Sequence, residues 1–226
     1  FHFAAIADIK EANQSPLETI NTNVMGSVNV FEACCALKVK KLVMASTVYV
    51  YSDAGGFYRA TKQAAEVLLK TYGKQFGLRY SVLRFGSLYG PRAQEWNGIN
   101  GYISTIMRDG KITYSGDGNE QREYIHIHDA ANLTASILDP KYDNQSLIIT
   151  GQQVMKSRDL LELIFEIMGK QPNIVFDQQS RDTTHYSLTP YSLQPEIARK
   201  MNPAEFIDIG QGIMNLLAEF NKQHES

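Results

Sequence analysis

Cysteine is nearly absent. The chain has two in 226 residues, and they are neighbours, Cys34 and Cys35. Adjacent positions on a helix point in different directions, so a disulfide between them is not expected. They read instead as small core residues of a reducing compartment, with the cytoplasm as the expected location. An excess of one charge is also missing. The 22 Lys and Arg face 24 Asp and Glu, for a net charge of -2 and a pI near 6.2. This argues against the basic stripe that a nucleic-acid surface needs. No apolar run approaches the roughly 20 residues that cross a bilayer. Phe1 opens directly into an apolar segment, without the basic start of a secretory signal. Internal repeats and low-complexity tracts are lacking as well. What remains is ordinary for a soluble globule: 43% hydrophobic and 20% charged residues, in a chain long enough for one domain or two interleaved lobes.

Hydrophobic periodicity supplies the elements. Phe1 to Ala5 reads as a buried strand ending in small residues. From Pro16, apolar residues recur at helical spacing to about residue 38. Gly26 inside that helix costs about 1 kcal/mol relative to Ala, which predicts a compensating close contact. A strand at 41–46, a helix at 58–76 stopped by Gly77, and a strand at 80–85 follow. Strands alternating with helices of this length imply βαβ units and a parallel sheet. After Arg92 the elements shorten: a helix at 99–109, strands at 111–114 and 124–128, a turn at Gly116-Asp117-Gly118 and a helix at 129–138. A strand at 146–149, a helix from Ser157 to Met168 and a strand at 173–176 come next. A polar loop then spans 177–202, and a last amphipathic helix runs from Pro203 to about Asn221.

The chemistry concentrates in Ala45-Ser46-Thr47-Val48-Tyr49 and the Tyr58-Arg59-Ala60-Thr61-Lys62 that follows. Four residues are close to one helical turn, so Tyr58 and Lys62 share a face. An ammonium beside a phenol is expected to lower the tyrosine pKa toward neutrality, making a general base. Thr47 is placed to hold the same substrate oxygen. The spacing by itself carries little, because roughly one Tyr-x-x-x-Lys match is expected by chance in a chain of this composition. The bland alternative is a half-buried aromatic followed by a solvated lysine. His126 and His128 alternate onto one face of the expected strand, but with no third ligand at suitable spacing no metal site is expected.

Several motifs in order resemble one family. Phe1 to Ala5, Asn23 to Val30, Ser46 to Tyr51, the Tyr58/Lys62 pair, Arg84 to Arg92 and Gly116 to Asp129 together resemble the extended short-chain dehydrogenase/reductases, specifically the NAD-dependent epimerase/dehydratase group. The resemblance implies an α/β fold: a partial Rossmann-like, doubly wound parallel sheet lacking its N-terminal strands, with a smaller α+β substrate-binding lobe. Residues 1–90 and 124–150 would be the remainder of the dinucleotide-binding domain, and 91–123 with 151–226 the substrate lobe. It implies an isomerase, a nucleotide-sugar epimerase of the UDP-sugar 4-epimerase type, using NAD, with NADP not excluded. A reductase, a dehydratase or a non-catalytic nucleotide-binding relative are the alternatives. Catalytic roles fall on Thr47, Tyr58 and Lys62. Cofactor contacts fall on Phe3, Ala4, Ala5, Asn23, Tyr58, Lys62, Phe85 and Gly86, and substrate contacts on Thr47, Ser87, Arg122 and Arg181. Asn23 would touch the cofactor or brace the active-site strand, and a helix-surface amide is the plainer alternative. Phe3, Ala4 and Ala5 would line the dinucleotide or fill the core. Asn97 or Asn100 would meet the sugar nucleotide. A homodimer through helices 16–38 and 58–76 is implied by analogy.

The sequence also departs from the family pattern. It has no G-x-x-G-x-x-G turn, whose backbone amides hold the dinucleotide pyrophosphate. On the resemblance the chain starts at the family's fourth strand, with roughly a third of a usual member upstream, and as it stands it is expected to bind NAD poorly. The connection from Tyr51 to Tyr58 is short. Ser52 stands where glycine is usual and Ser87 where asparagine is common. Val48 and Tyr49 occupy the places where 4,6-dehydratases carry an acid pair, which points away from elimination.

Overall fold

The structure is a computed structural model describing residues 1–94, 97–152, 154–179, 185 and 187. The first half holds α1 (Ile9–Gln14), α2 (Pro16–Ile20), α3 (Gly26–Ala36), β1 (Leu42–Thr47), α4 (Gly56–Phe76), β2 (Tyr80–Phe85) and β3 (Ser87–Tyr89). The second half holds α5 (Gly98–Asp109), β4 (Ile112–Ser115), β5 (Gln121–His126), α6 (Ile127–Ser136), β6 (Gln145–Ile149), β7 (Val154–Lys156), α7 (Ser157–Ile167) and β8 (Ile174–Asp177).

The central sheet runs β1-β2-β6, all parallel. β1 is almost wholly buried, as expected for a parallel strand covered on both faces. Alternation sends Leu42, Met44 and Val82 to one face, where Phe31, Ala65 and Leu69 of α3 and α4 meet them. Val43 and Leu83 go to the other face and pack with Ile125, Ala130, Ile137 and Ile149. Helices on both faces make this the doubly wound α/β arrangement that the alternation predicts. A third cluster joins α5 and α7 to β4, through Ile106, Ile112, Leu160, Leu161, Ile164 and Phe165. There β4 pairs with β8, while β5 joins β3 to β7.

Several expectations change. Residues 1–5 are not a buried strand. Only His2 is held against β1, through its N–H to the Val43 carbonyl at 2.8 Å and its carbonyl to Ala45 N–H at 3.0 Å. Phe1 and Phe3 are 61% and 51% exposed, because no described strand lies on their outer side. The expected helix over 16–38 is continuous from Pro16 to Ala36 but widens into a π-turn at Asn21–Met25. Its buried residues are Thr19, Asn23, Ser27, Phe31 and Cys34, while Leu17 is 73% exposed. Polar side chains thus occupy much of the inner face, because they have hydrogen-bond partners there. Gly26 makes no close contact: a Cβ there would find its nearest neighbour, the Asn21 carbonyl oxygen, at 3.8 Å. Gly26 instead follows the π-turn and donates to that carbonyl.

His126 and His128 do not share a strand face. His126 ends β5 and its Nδ1 accepts the His128 N–H at 3.3 Å, capping α6. Three short elements went unpredicted: α1, β3 and β7. Gly77 ends α4 at φ 69°, with its N–H on the Gly73 carbonyl, as a helix C-cap does. The final helix expected from Pro203 to Asn221 lies outside the described residues.

Candidate active site

The carboxyl ends of the central strands lie side by side, Thr47 opposite Phe85 and Phe85 opposite Ile149. Ligands of open α/β sheets sit at this edge. A cavity of about 700 Å³ opens there, and Thr47, Tyr58 and Lys62 all line it. The sequence brings them together by two routes. β1 ends with Thr47 in extended backbone, its Oγ1 accepting the Tyr49 N–H that starts the short 3₁₀ turn Val48–Tyr51. Gly55, at φ 94°, then reverses the chain into α4, whose first turn carries Tyr58. Lys62 follows one turn later.

The electrostatics differ from the expectation. Burial drives the Tyr58 phenol pKa up, and it is the Thr47 hydroxyl, not Lys62, that pulls it back. Lys62 is 7% exposed. Its Nζ donates to the Ala45 carbonyl at 3.0 Å and lies 6.0 Å from the Tyr58 ring centre. Burial lowers its pKa to about 8, with Glu66 opposing the fall. Desolvation therefore outweighs the Thr47 hydrogen bond at Tyr58 and the Glu66 charge at Lys62, and raises the cost of ionising either group.

The sequence reading missed what holds this face of α4 in place. Glu66, one turn beyond Lys62, is 3% exposed. Its Oε1 accepts from Ser46 Oγ at 2.6 Å and Arg84 Nε at 3.0 Å, and its Oε2 from Arg84 Nη2 at 2.5 Å. Arg84 also reaches the Tyr51 hydroxyl. This two-pronged ion pair ties α4 to β1 and β2. A signal was present: Glu66 interrupts an apolar helix stretch and Arg84 an apolar strand, and such charges are rarely buried without a partner.

Of the residues named for the cofactor, Phe3, Ala5, Phe85 and Gly86 line the cavity, while Ala4 does not. Asn23 is also off the cavity wall. Its Oδ1 accepts the Ile6 N–H at 2.8 Å, and its Nδ2 donates to the Ile6 carbonyl at 3.0 Å and Thr61 Oγ1 at 3.1 Å. It thereby pins the segment after Ala5 to α4 beside Lys62, and it is 2% exposed, which excludes the helix-surface alternative. Ser87 and Arg122 line the cavity; Arg181 lies outside the described residues. Asn97 lines it while capping α5, its Oδ1 accepting the Asn100 N–H; Asn100 does not line it. Glu120, absent from the sequence reading, lines it too. Asp117 makes a turn, accepting the Asn119 N–H at 2.8 Å. Among the described residues, no three His, Cys, Asp or Glu side chains are grouped to hold a metal ion. No described helix is long and apolar enough to cross a membrane.

Comparison with known proteins points the same way. The chain is 29% identical over 183 residues to UDP-glucuronate 4-epimerase of Thermodesulfobacterium geofontis, covering 75% of this chain and 57% of that protein. It is 24% identical over 215 residues to dTDP-glucose 4,6-dehydratase of Mycobacterium tuberculosis, covering 87% and 64%. It thus spans less than two thirds of the length of these relatives. The fold matches the crystal structure of UDP-glucose 4-epimerase from Thermotoga maritima with a TM-score of 0.77 at 24% identity, over 84% of this chain and 66% of that one. The profile of the NAD dependent epimerase/dehydratase family covers residues 1–149, the stretch that builds the Thr47–Tyr58–Lys62 edge. With its sheet order, its site and its sequence in agreement, the chain belongs to the NAD dependent epimerase/dehydratase family.

Proposed function

We propose that the protein acts as a nucleotide-sugar epimerase of the UDP-sugar 4-epimerase type. The observation that carries this reading is the convergence of Thr47, Tyr58 and Lys62 on one cavity at the carboxyl edge of the sheet. A ring hydroxyl docked there would be held by Thr47, and its proton would pass to Tyr58 as the carbon is oxidised. The resulting ketone would turn in the cavity and be reduced on its other face, with Tyr58 returning the proton. Because burial makes the Tyr58 phenolate costly, exchange would be confined to an oxygen lying directly against it.

The residues present suit the nicotinamide end of NAD. Lys62 uses one of its three donors on the Ala45 carbonyl, which leaves two for the cavity it lines and suits ribose hydroxyls. Phe3, Ala5, Phe85 and Gly86 would flank the ring, and Asn23 would position the Ala5 segment. The chemistry NAD supplies when bound is to accept a hydride from the sugar carbon and give it back. Residues 1–90 and 124–150 would form the cofactor half, and 91–123 with 151–226 the substrate lobe. Elimination of water would need an acid beside Thr47. Val48 and Tyr49 supply no carboxyl there, and Glu66 is spent on Arg84, so epimerisation is favoured over dehydration.

The partner on this reading is a second copy. Helices 16–38 and 58–76 carry Leu17, Met25 and Val67 at 73%, 50% and 64% exposure.

The test is turnover of UDP-sugars by the full-length protein. C4 interconversion is expected, and Tyr58→Phe should lower kcat by roughly 100-fold or more, the usual weight of a positioned acid–base group. Parental turnover by Tyr58→Phe would sink the mechanism, and a 4-keto-6-deoxy product would show a dehydratase instead.

A further inference from the structure

Helix α4 carries Tyr58 in its first turn, yet that turn has no cap of its own. The residue before the helix is Gly55, which offers no side chain to cap it. The first N–H groups of any helix lack partners within it. Here one of them is taken by a residue 44 positions earlier: Asn13 Oδ1 accepts the Phe57 N–H at 3.0 Å. An N-cap side chain makes this bond to the second or third helical residue. Phe57 is the second residue of α4, so Asn13 does the work of an N-cap from another helix. Gly56 leaves room for it. A Cβ there would lie 2.1 Å from Asn13 Oδ1 and 2.8 Å from Asn13 Cγ.

Asn13 is itself held in place. It sits on α1, which Asp8 caps by accepting the Glu11 N–H at 2.8 Å. Ile9 and Ala12 bury the inner side of α1, and Thr19 Oγ1 lies 3.2 Å from the Ala12 carbonyl oxygen. The same helix borders the site, since Asp8, Ile9 and Lys10 line the cavity along with Thr47 and Tyr58. The entry to α4 is the opposite of rigid by composition. Gly55 and Gly56 both have positive φ, 94° and 47°, and two glycines leave the chain free to swing unless something outside fixes the first turn. Tyr58 needs that turn fixed, because its hydroxyl works against Thr47 and small misplacements of a reacting group cost rate steeply.

We infer that Asn13 is a positioning residue: by capping α4 from α1 it fixes the turn that carries Tyr58, and so holds the phenol in line with Thr47 and the reacting oxygen. This rests on the epimerase reading above.

The test compares Asn13→Ala, which removes the acceptor, with Asn13→Asp, which keeps one. In the full-length protein Asn13→Ala should lower kcat for UDP-sugar C4 interconversion about fivefold, the equilibrium weight of one cap, with KM close to the parent's. Asn13→Asp should restore kcat. Exchange of the Phe57 amide, followed by NMR, needs no turnover: it should quicken about fivefold in Asn13→Ala and stay slow in Asn13→Asp. Gly56→Ala supplies a third check. Its methyl would displace the Asn13 amide, so adding Asn13→Ala to Gly56→Ala should cause no further fall in kcat. The inference is overturned by equal Phe57 exchange in parent and Asn13→Ala, by an unchanged kcat in Asn13→Ala, by a kcat loss that Asn13→Asp shares, or by a full Asn13→Ala effect in the Gly56→Ala background. Each of these leaves the epimerase reading standing. Absence of C4 turnover by the parent would overturn that reading, and with it the role of Asn13 in proton transfer.

Discussion

At the scale of single residues, burial decides the character of the site more than pairing does. Tyr58 and Lys62 meet the spacing rule, yet the phenol pKa moves up and the amine pKa down, to about 8. The lysine makes this measurable. Its folded pKa lies below the ordinary lysine value of 10.5, so between these values the unfolded chain binds a proton that the folded chain does not. Stability must therefore rise with pH across that window. From about pH 8 to 10 the unfolding free energy should climb, on the order of 3 kcal/mol if the window is fully crossed. Above pH 10 the raised Tyr58 pKa works the other way, because the unfolded phenol ionises first. Denaturant titrations at stepped pH read the effect, and Lys62→Met should flatten the rise. A parental slope in that variant would assign the titration to another group.

At the scale of elements, α4 is held by one ion pair rather than by its apolar face alone. Glu66 spans from this helix to Ser46 of β1 and Arg84 of β2, with both side chains largely buried. Glu66→Gln leaves the Arg84 charge without its counter-charge, which should cost about 3 kcal/mol in urea unfolding. A loss under about 1 kcal/mol would mean that the clamp is replaced by solvent. The elements themselves were readily legible. The apolar runs of β1 and β2 and the repeat of Ala65 and Leu69 in α4 reflect burial that a period of two or 3.6 records. The π-turn and the polar inner face of the helical stretch from Pro16 to Ala36 were not legible, because Asn23 and Ser27 are buried against partners distant in sequence, Ile6 and Thr61 for Asn23 and His2 for Ser27. Residues 1–5 failed for a related reason: a strand's burial depends on its neighbours, and on the outer side no described strand supplies one.

At the scale of the whole molecule, the apolar side chains left outside on helices 16–38 and 58–76 carry the homodimer proposal. Leu17→Glu combined with Val67→Asp should convert a dimer to a monomer in sedimentation velocity without unfolding it. A parent that sediments as a monomer would remove the proposal. The family could be reached from sequence alone because its motifs are local strings whose order survives at low identity. The alternation of strand and helix, the placing of Tyr58 and Lys62 on one helical face and the candidacy of Thr47 were likewise set by the sequence, since each follows from the geometry of a few consecutive residues. Only the tertiary structure decided that Tyr58 is harder to ionise rather than easier, that Asn23 braces a segment instead of facing solvent, and that Glu66 of α4 meets Arg84 of β2. Desolvation and hydrogen-bond satisfaction depend on which distant groups fill the space around an atom, and spacing along a chain does not encode that.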